Sequence, residues 1–359
     1  MSIEKLLVAN RGEIAIRILR AAADLGIPTV AVYAGDEAAS LHLSKADEAV
    51  ALPGRGVPAY LDGAAVLAIA QEKNCDAIHP GYGFLSENAD FANACGQAGV
   101  AFVGPGAETL DMFGDKAAAR DLAEKNGVPV LPGSQGATDL GAAEAFFDIH
   151  GPTMIKAIGG GGGRGMRAIL DKRDLAAALE LCQAEALQAF GNGDVFVERL
   201  LEKPRHVEIQ IIGDGSGAIC HLGERECSIQ RRHQKLVEMA PAPGLASDLR
   251  DKLTEAAVTL AGAVDYRNLG TFEFLLAGDD FFFIEANPRL QVEHTVTEEV
   301  WGVDLVQTQL HIAGGASLAE LGLTQVEAGA PRGQAMQVRI NMETIEADGS
   351  VRPTGGILE

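Results

Sequence analysis

Residues 272–294 read FEFLLAGDDFFFIEANPRLQVEH. Two apolar segments flank the polar turn Gly278-Asp279-Asp280, a pattern that predicts a β-hairpin with a three-residue loop. Centred on Asp279, the hairpin pairs Ala277 with Phe281, Leu275 with Phe283 and Glu273 with Glu285. Strand side chains alternate between faces, so these six share one side. Like charges directly opposed across a ladder destabilise it. Two carboxylates facing each other among aromatic residues therefore need a cation, and Mg²⁺ is bound by one or two carboxylates with phosphate oxygens completing its shell. Asn287 adds a neutral oxygen on that face. The polar run continues at every second position through Arg289, Gln291 and Glu293. A half-exposed strand would also carry polar residues at alternate positions. Here the phenylalanines argue for burial on both faces, and a buried polar set of this kind costs stability unless it serves a function.

Working outward, the chain has 359 residues, which implies two or three domains rather than one core. It is 47% hydrophobic with 43 glycines, the balance of a turn-rich globular protein and not of a disordered one. The net charge of −21 argues against nucleic acid or an anionic membrane as the main partner, so an anionic ligand must find a local basic patch. Cys75, Cys95, Cys182, Cys220 and Cys227 lack metal-ligand spacing and are odd in number, which predicts free thiols in a reducing cytoplasm. The opening MSIEKLLVAN lacks a signal peptide's apolar core, and no run reaches transmembrane length.

From the N-terminus, a strand over 5–9, a helix over 13–25 and a strand over 28–34 predict a βαβ start on a parallel sheet. The turn Asn10-Arg11-Gly12 is not the dinucleotide fingerprint, so NAD is not expected there. A strand over 76–79 runs into HPGYGFLSEN, where glycines, His79 and Tyr82 would sit at a strand's carboxyl end, the ligand edge of open α/β sheets. Ser86 is expected to cap the next helix. A strand over 153–157 carries Lys156 and precedes five consecutive glycines, 159–163, followed by Arg164-Gly165-Met166. Such a run supports neither helix nor strand but offers close backbone approach and free N–H donors, which suits phosphate. No Lys-Ser/Thr follows, so it is not a Walker A loop. A glycine hairpin behind a lysine suggests a lid over a triphosphate. His206, Glu208 and Gln210 share one face of a later strand. Residues 224–235 form the densest basic cluster of an acidic chain, and their place just before the carboxylate hairpin favours an anion site over a solvated face.

A glycine lid with a lysine, followed by paired glutamates and an asparagine on a later hairpin, resembles the ATP-grasp enzymes. Within them the chain is similar to biotin carboxylase: ANRGEIAIRI, HPGYGFLSEN, KAIGGGGGRGM, PRHVEIQ, ERECSIQRRHQK, GTFEFL, EANPRLQVEH and QVRIN all look like that family's motifs and span nearly the whole chain. The resemblance implies an α/β and α+β architecture: a Rossmann-like domain (1–114), a helical linker (115–132), an ATP-grasp lid (133–203) and an ATP-grasp C-terminal domain (204–359), incomplete at its end. It implies that Lys116 and Lys156 hold ATP phosphates under a loop containing Gly161, Gly162, Gly163, Gly165 and Met166. Glu198, Leu201 and Leu275 would lie at the nucleotide base, with His206, Gln230 and His233 lining the nucleotide site. Glu273, Glu285 and Asn287 would carry Mg²⁺ or Mn²⁺. Lys235, Arg289, Gln291, Val292 and Glu293 would surround bicarbonate, with Glu293 as general base, and Arg339 would face biotin. Two stretches depart from the family's habit: NPRLQVEH stands for its frequent NTRIQVEH, and INMETIEADGSVRPTGG for its INAEDP and PSPG.

The expected activity is ATP- and bicarbonate-dependent carboxylation of biotin on a carrier domain, feeding a carboxyltransferase of the acyl-CoA or pyruvate type. A homo-oligomer and a cytoplasmic location go with it. Two alternatives remain at this stage. One is another bicarbonate-phosphorylating enzyme such as half of a carbamoyl-phosphate synthetase, against which the lack of internal duplication counts. The other is an inactive nucleotide-binding fragment.

Overall fold

The computed structural model describes residues 3–134, 136–159, 165–231, 234–348 and 350–354. Three principal sheets carry the fold. The first is wholly parallel, ordered Glu48–Ala51, Thr29–Tyr33, Leu6–Val8, Ala77–His79, Ala101–Phe102. Its first strand is central, so the chain order reverses beside Leu6–Val8. Both Leu6–Val8 and Ala77–His79 are buried throughout, as expected for strands covered on two faces. At their carboxyl ends Asn10 Nδ2 donates to Pro80 O (2.7 Å) and Tyr82 O (2.8 Å), tying the two loops together. Gly81 has φ +67° there, and a Cβ would come within 2.9 Å of Asn10 Nδ2, so the turn requires glycine.

The second sheet is small and antiparallel: Met166–Ile169, Thr153–Ala157, Val195–Arg199, packed under helices Leu140–His150 and Leu175–Phe190. The third has six antiparallel strands, ordered Asp280–Asn287, Arg267–Ala277, Arg205–Asp214, Ile219–Arg231, Gln234–Ala240, Ala335–Val338. One face packs on helix Ser247–Gly262 through Leu253, Ala257, Leu260, Phe272, Phe274 and Phe283. One core joins Leu6 and Val8 of the first sheet and Ile18 of helix Gly12–Asp24 to Ile212, Leu222, Leu269, Leu290, Leu305 and Leu310, so that helix is sandwiched against the ATP-grasp-type body.

The decisive hairpin forms, with a different register from the expected one. Its turn is the two-residue Gly278-Asp279: Ala277 pairs with Asp280, Leu275 with Phe282 and Phe274 with Phe283. A bulge between this region and the next pair takes up one residue, so Glu273 still faces Glu285. The bulge puts Phe283 on the core side with Phe274, and Ile284 and Glu285 both reach the cavity. The strand also ends at Asn287, so Arg289, Gln291 and Glu293 are not an alternating strand face. They lie in the turn leading to helix His294–Trp301. Ser86 does not cap the next helix. Asn88 does, accepting from Phe91 N at 2.8 Å, and the buried Ser86 hydroxyl has no partner among the described residues.

Candidate functional site

Between the small sheet and the six-stranded sheet lies a cavity of about 700 Å³. It is lined by Lys116, Lys156, Met166, Glu198, Leu201, His206, Gln230, Lys235, Glu273, Leu275, Glu285, Asn287, Arg289, Gln291, Val292, Glu293 and Arg339, every one singled out from the sequence. Gly165 stands beside Met166 at the rim, its carbonyl accepting from Ala157 N at 3.0 Å. Gly161, Gly162, Gly163 and His233 lie outside the described residues.

The cavity divides by chemistry. At one end Lys156 pairs with the buried carboxylate of Glu198, near Leu131, Met154 and Leu201. At the middle Lys116 Nζ lies 2.8 Å from Glu285 Oε2. Glu273 Oε1 accepts from Asn287 Nδ2 (2.8 Å), Gln291 Nε2 (2.9 Å) and Lys235 Nζ (3.0 Å), while His206 Nε2 meets Oε2 at 2.5 Å. At the far end Lys235 Nζ also donates to Glu208 Oε2 (2.5 Å) and Glu293 Oε1 (2.7 Å). Arg339 Nη2 donates to Glu293 Oε2 at 3.0 Å. Arg289 is held by Glu87 (2.9 Å) and by Asn287 Oδ1 (2.8 Å).

The basic run 224–235 is not an anion patch as a whole. Arg225 is fully buried beneath the site, and its guanidinium is consumed by Glu208 (2.6 Å), Gln210 (2.7 Å), Thr297 (2.9 Å), Gln291 (2.9 Å) and Thr271 (3.0 Å). Of that run Ser228, Gln230, Gln234 and Lys235 line the cavity among the described residues. Reading 224–235 as one anion-facing run missed that Arg225 is turned inward beneath the site. Its inward position follows from Glu208 and Gln210, which share its side of the sheet. Glu238, Ile284 and Asn341 also escaped notice.

Lysines and a histidine already compensate the carboxylates, which corrects the inference that the facing glutamates by themselves demand a metal. Burial would raise the Glu273 carboxyl, but Lys235 and His206 hold it well below the usual carboxylate range. Burial likewise opposes charge at Glu285, and Lys116 brings it down. Glu293 is pushed up by burial and pulled down further by Lys235, Arg225 and Arg339, to about 2. Burial disfavours the Lys235 ammonium, yet Glu208 and Glu273 hold its affinity for a proton well above the ordinary lysine value. His206 is raised by Glu273 against the effect of its burial. The donor set Glu273, Glu285 and Asn287 remains one of hard oxygens on two paired strands, which suits Mg²⁺ or Mn²⁺. Glu208, Cys227 and Glu293 also lie close enough for a cation, but Lys235 fills that role for Glu208 and Glu293.

Comparison with known proteins agrees with this layout. The family described as "Biotin carboxylase, N-terminal domain" matches residues 2–110, and "Carbamoyl-phosphate synthase L chain, ATP binding domain" matches 115–321. Pyruvate carboxylase of Bacillus subtilis (strain 168) is 52% identical over 97% of this chain and 31% of its own length. The mitochondrial pyruvate carboxylase of Homo sapiens is 52% identical over 99% of this chain and 30% of its own. The chain thus spans less than a third of these curated relatives. Among solved structures, the biotin carboxylase domain of Hydrogenobacter thermophilus 2-oxoglutarate carboxylase, in complex with MgADP, ADP and bicarbonate, superposes with TM-score 0.92 at 42% identity, covering 96% of this chain and 76% of that one. Biotin carboxylase from Campylobacter jejuni superposes with TM-score 0.91 at 40% identity, covering 96% and 77%. The N-terminal match and these neighbours set aside a carbamoyl-phosphate synthetase reading. With its parallel N-terminal sheet, its antiparallel ATP-grasp body and the cavity between the small sheet and the six-stranded one, the chain belongs to the biotin carboxylase family.

Proposed function

We propose that this chain catalyses ATP- and bicarbonate-dependent carboxylation of biotin carried on a separate domain or subunit. The observation that supports it most directly is the clamp on Glu293: Lys235 on one carboxylate oxygen and Arg339 on the other, beside the Glu273–Glu285 pair. ATP phosphates would lie against Lys116 and Lys156, with the base toward Glu198, Leu201 and Leu275. Glu273, Glu285 and Asn287 would hold Mg²⁺ or Mn²⁺, which when bound neutralises phosphate charge. Bicarbonate would take the place of Glu293 as the partner of Lys235, with Arg289, Gln291 and Val292 around it. That exchange matters for the base. Glu293, held to about 2 chiefly by Lys235, accepts a proton only when an incoming anion draws Lys235 toward itself.

Once deprotonated, a bicarbonate oxygen attacks the γ-phosphorus, and the bond to the ADP oxygen breaks. The resulting carboxyphosphate splits into CO₂ and phosphate. Phosphate takes the ureido N–H proton, and the nitrogen forms its new bond to CO₂. Arg339 would stabilise the charge developing on the ureido oxygen. Carrier and carboxyltransferase partners, and homo-oligomer assembly, belong to this same reading. Among the described residues no helix is long and apolar enough to cross a membrane. The test separates the two half-reactions. Glu293→Gln should suppress bicarbonate-dependent ADP release with or without biotin, whereas Arg339→Ala should strike carboxybiotin formation hardest. Parallel loss of both activities in both variants would contradict the division of roles.

A further inference from the structure

Glu238 lies on the strand Gln234–Ala240, opposite Gln337 in the register, and its side chain is wholly buried. Its Oε1 accepts from Arg339 Nε at 2.5 Å. Its Oε2 is also buried and accepts from no described residue. A buried carboxylate with one oxygen unsatisfied is costly. An apolar side chain of similar size would serve folding better. What the carboxylate supplies is geometric. Arg339 sits just past the end of strand Ala335–Val338, where its backbone is last tied through its N–H to Leu236 O at 2.9 Å. Its guanidinium is planar, and two acceptors on one edge fix that plane. Glu238 holds Nε and Glu293 Oε2 holds Nη2, so Nη1 is the terminal nitrogen that neither carboxylate takes.

We infer that Glu238 is a positioning residue: by anchoring Nε it fixes the guanidinium plane of Arg339 and keeps Nη1 open to the ureido oxygen of biotin. The inference rests on the assignment of Arg339 to the biotin side. Glu238 touches no reactant itself and acts only through Arg339. Misdirecting a substrate-binding group by an ångström is enough to impair turnover severely.

The test uses the intact protein with free biotin as acceptor. Glu238→Ala removes the anchor, and the KM for biotin should rise about tenfold while that for ATP stays within about threefold. Glu238→Gln keeps an oxygen that accepts from Nε, and should return the biotin KM to within about threefold of the parent. Arg339→Ala is measured beside them. An unchanged biotin KM in Glu238→Ala overturns the inference. So does an equal rise for biotin and ATP with a lowered Tm, the mark of a structural role, and so does Glu238→Gln behaving like the alanine variant. If Arg339→Ala is impaired with biotin and Glu238→Ala is not, only this inference fails. If Arg339→Ala uses biotin normally, the biotin-side assignment falls and this inference with it.

Discussion

At the scale of single residues, the site is a contest between fixed cations and mostly buried carboxylates. Glu285 is the clearest case. Its Oε2 is paired with Lys116, and it faces Glu273 across the ladder. Glu285→Gln keeps the shape and removes the charge. It should cost ~3 kcal/mol or more of transition-state stabilisation, read as a loss of over a hundredfold in steady-state ADP formation at saturating Mg²⁺. A loss of less than about tenfold would refute the metal assignment. Glu293 carries a pH signature. Its folded-state affinity for a proton is depressed from 4.5 to about 2, so its charge contributes stability fully above about 4.5. That contribution disappears as pH falls through about 2. The Tm of the parent should therefore decline more steeply than that of Glu293→Gln as pH drops below 4.5. Parallel curves would show that its ion pairs do not form.

At the scale of elements, Lys235 is the tie. One ammonium meets Glu208 on Arg205–Asp214, Glu273 on Arg267–Ala277 and Glu293 ahead of helix His294–Trp301. Removing one partner of a buried ionic cluster leaves uncompensated charge, a loss of about 3–5 kcal/mol. Lys235→Met should show it in urea unfolding at pH 7. The deficit should narrow toward pH 5, because carboxylates without their cation rise in pKa and take protons more readily in the folded state. A deficit independent of pH would point to packing instead. The same elements show how far the sequence carries. Alternating polarity around a short turn placed Glu273 against Glu285 correctly. It missed the bulge because a bulge leaves no mark in the polarity pattern of a segment as uniformly aromatic as Phe281, Phe282 and Phe283. It likewise extended the strand through Glu293, since a turn residue such as Arg289 next to Pro288 keeps the same alternation. Arg225 was hidden for the opposite reason: only the paired strands reveal that its neighbours are acceptors.

At the scale of the whole molecule, the N-terminal sheet and the ATP-grasp body are joined through a shared apolar core and a polar seam. Arg17 on helix Gly12–Asp24 reaches Glu298 (2.8 Å) and Asp304 (2.7 Å). Beside it lie two buried histidines, one from each side. His79 ends a strand of the first sheet, and its Nδ1 accepts from Gly81 N at 3.0 Å. His294 follows Glu293, and its Nδ1 meets Gln291 O at 2.8 Å. Burial drives both below the ordinary imidazole value: His79 to about 3, and His294 to about 4, despite the Gln291 carbonyl. Both rings are thus neutral in the fold at pH values where the unfolded chain protonates them. The sign follows: the unfolded state binds more protons below 6.5, so stability is complete above that value and falls as the solution is acidified toward 4 and then 3. At pH 5 each ring should account for about 2 kcal/mol of lost stability. Urea unfolding at pH 7 and pH 5 measures it. His79→Asn should be less stable than the parent at pH 7 and should lose about 2 kcal/mol less on acidification. An identical pH slope in parent and variant would mean that His79 is protonated without strain, and that the seam admits water the packed structure excludes.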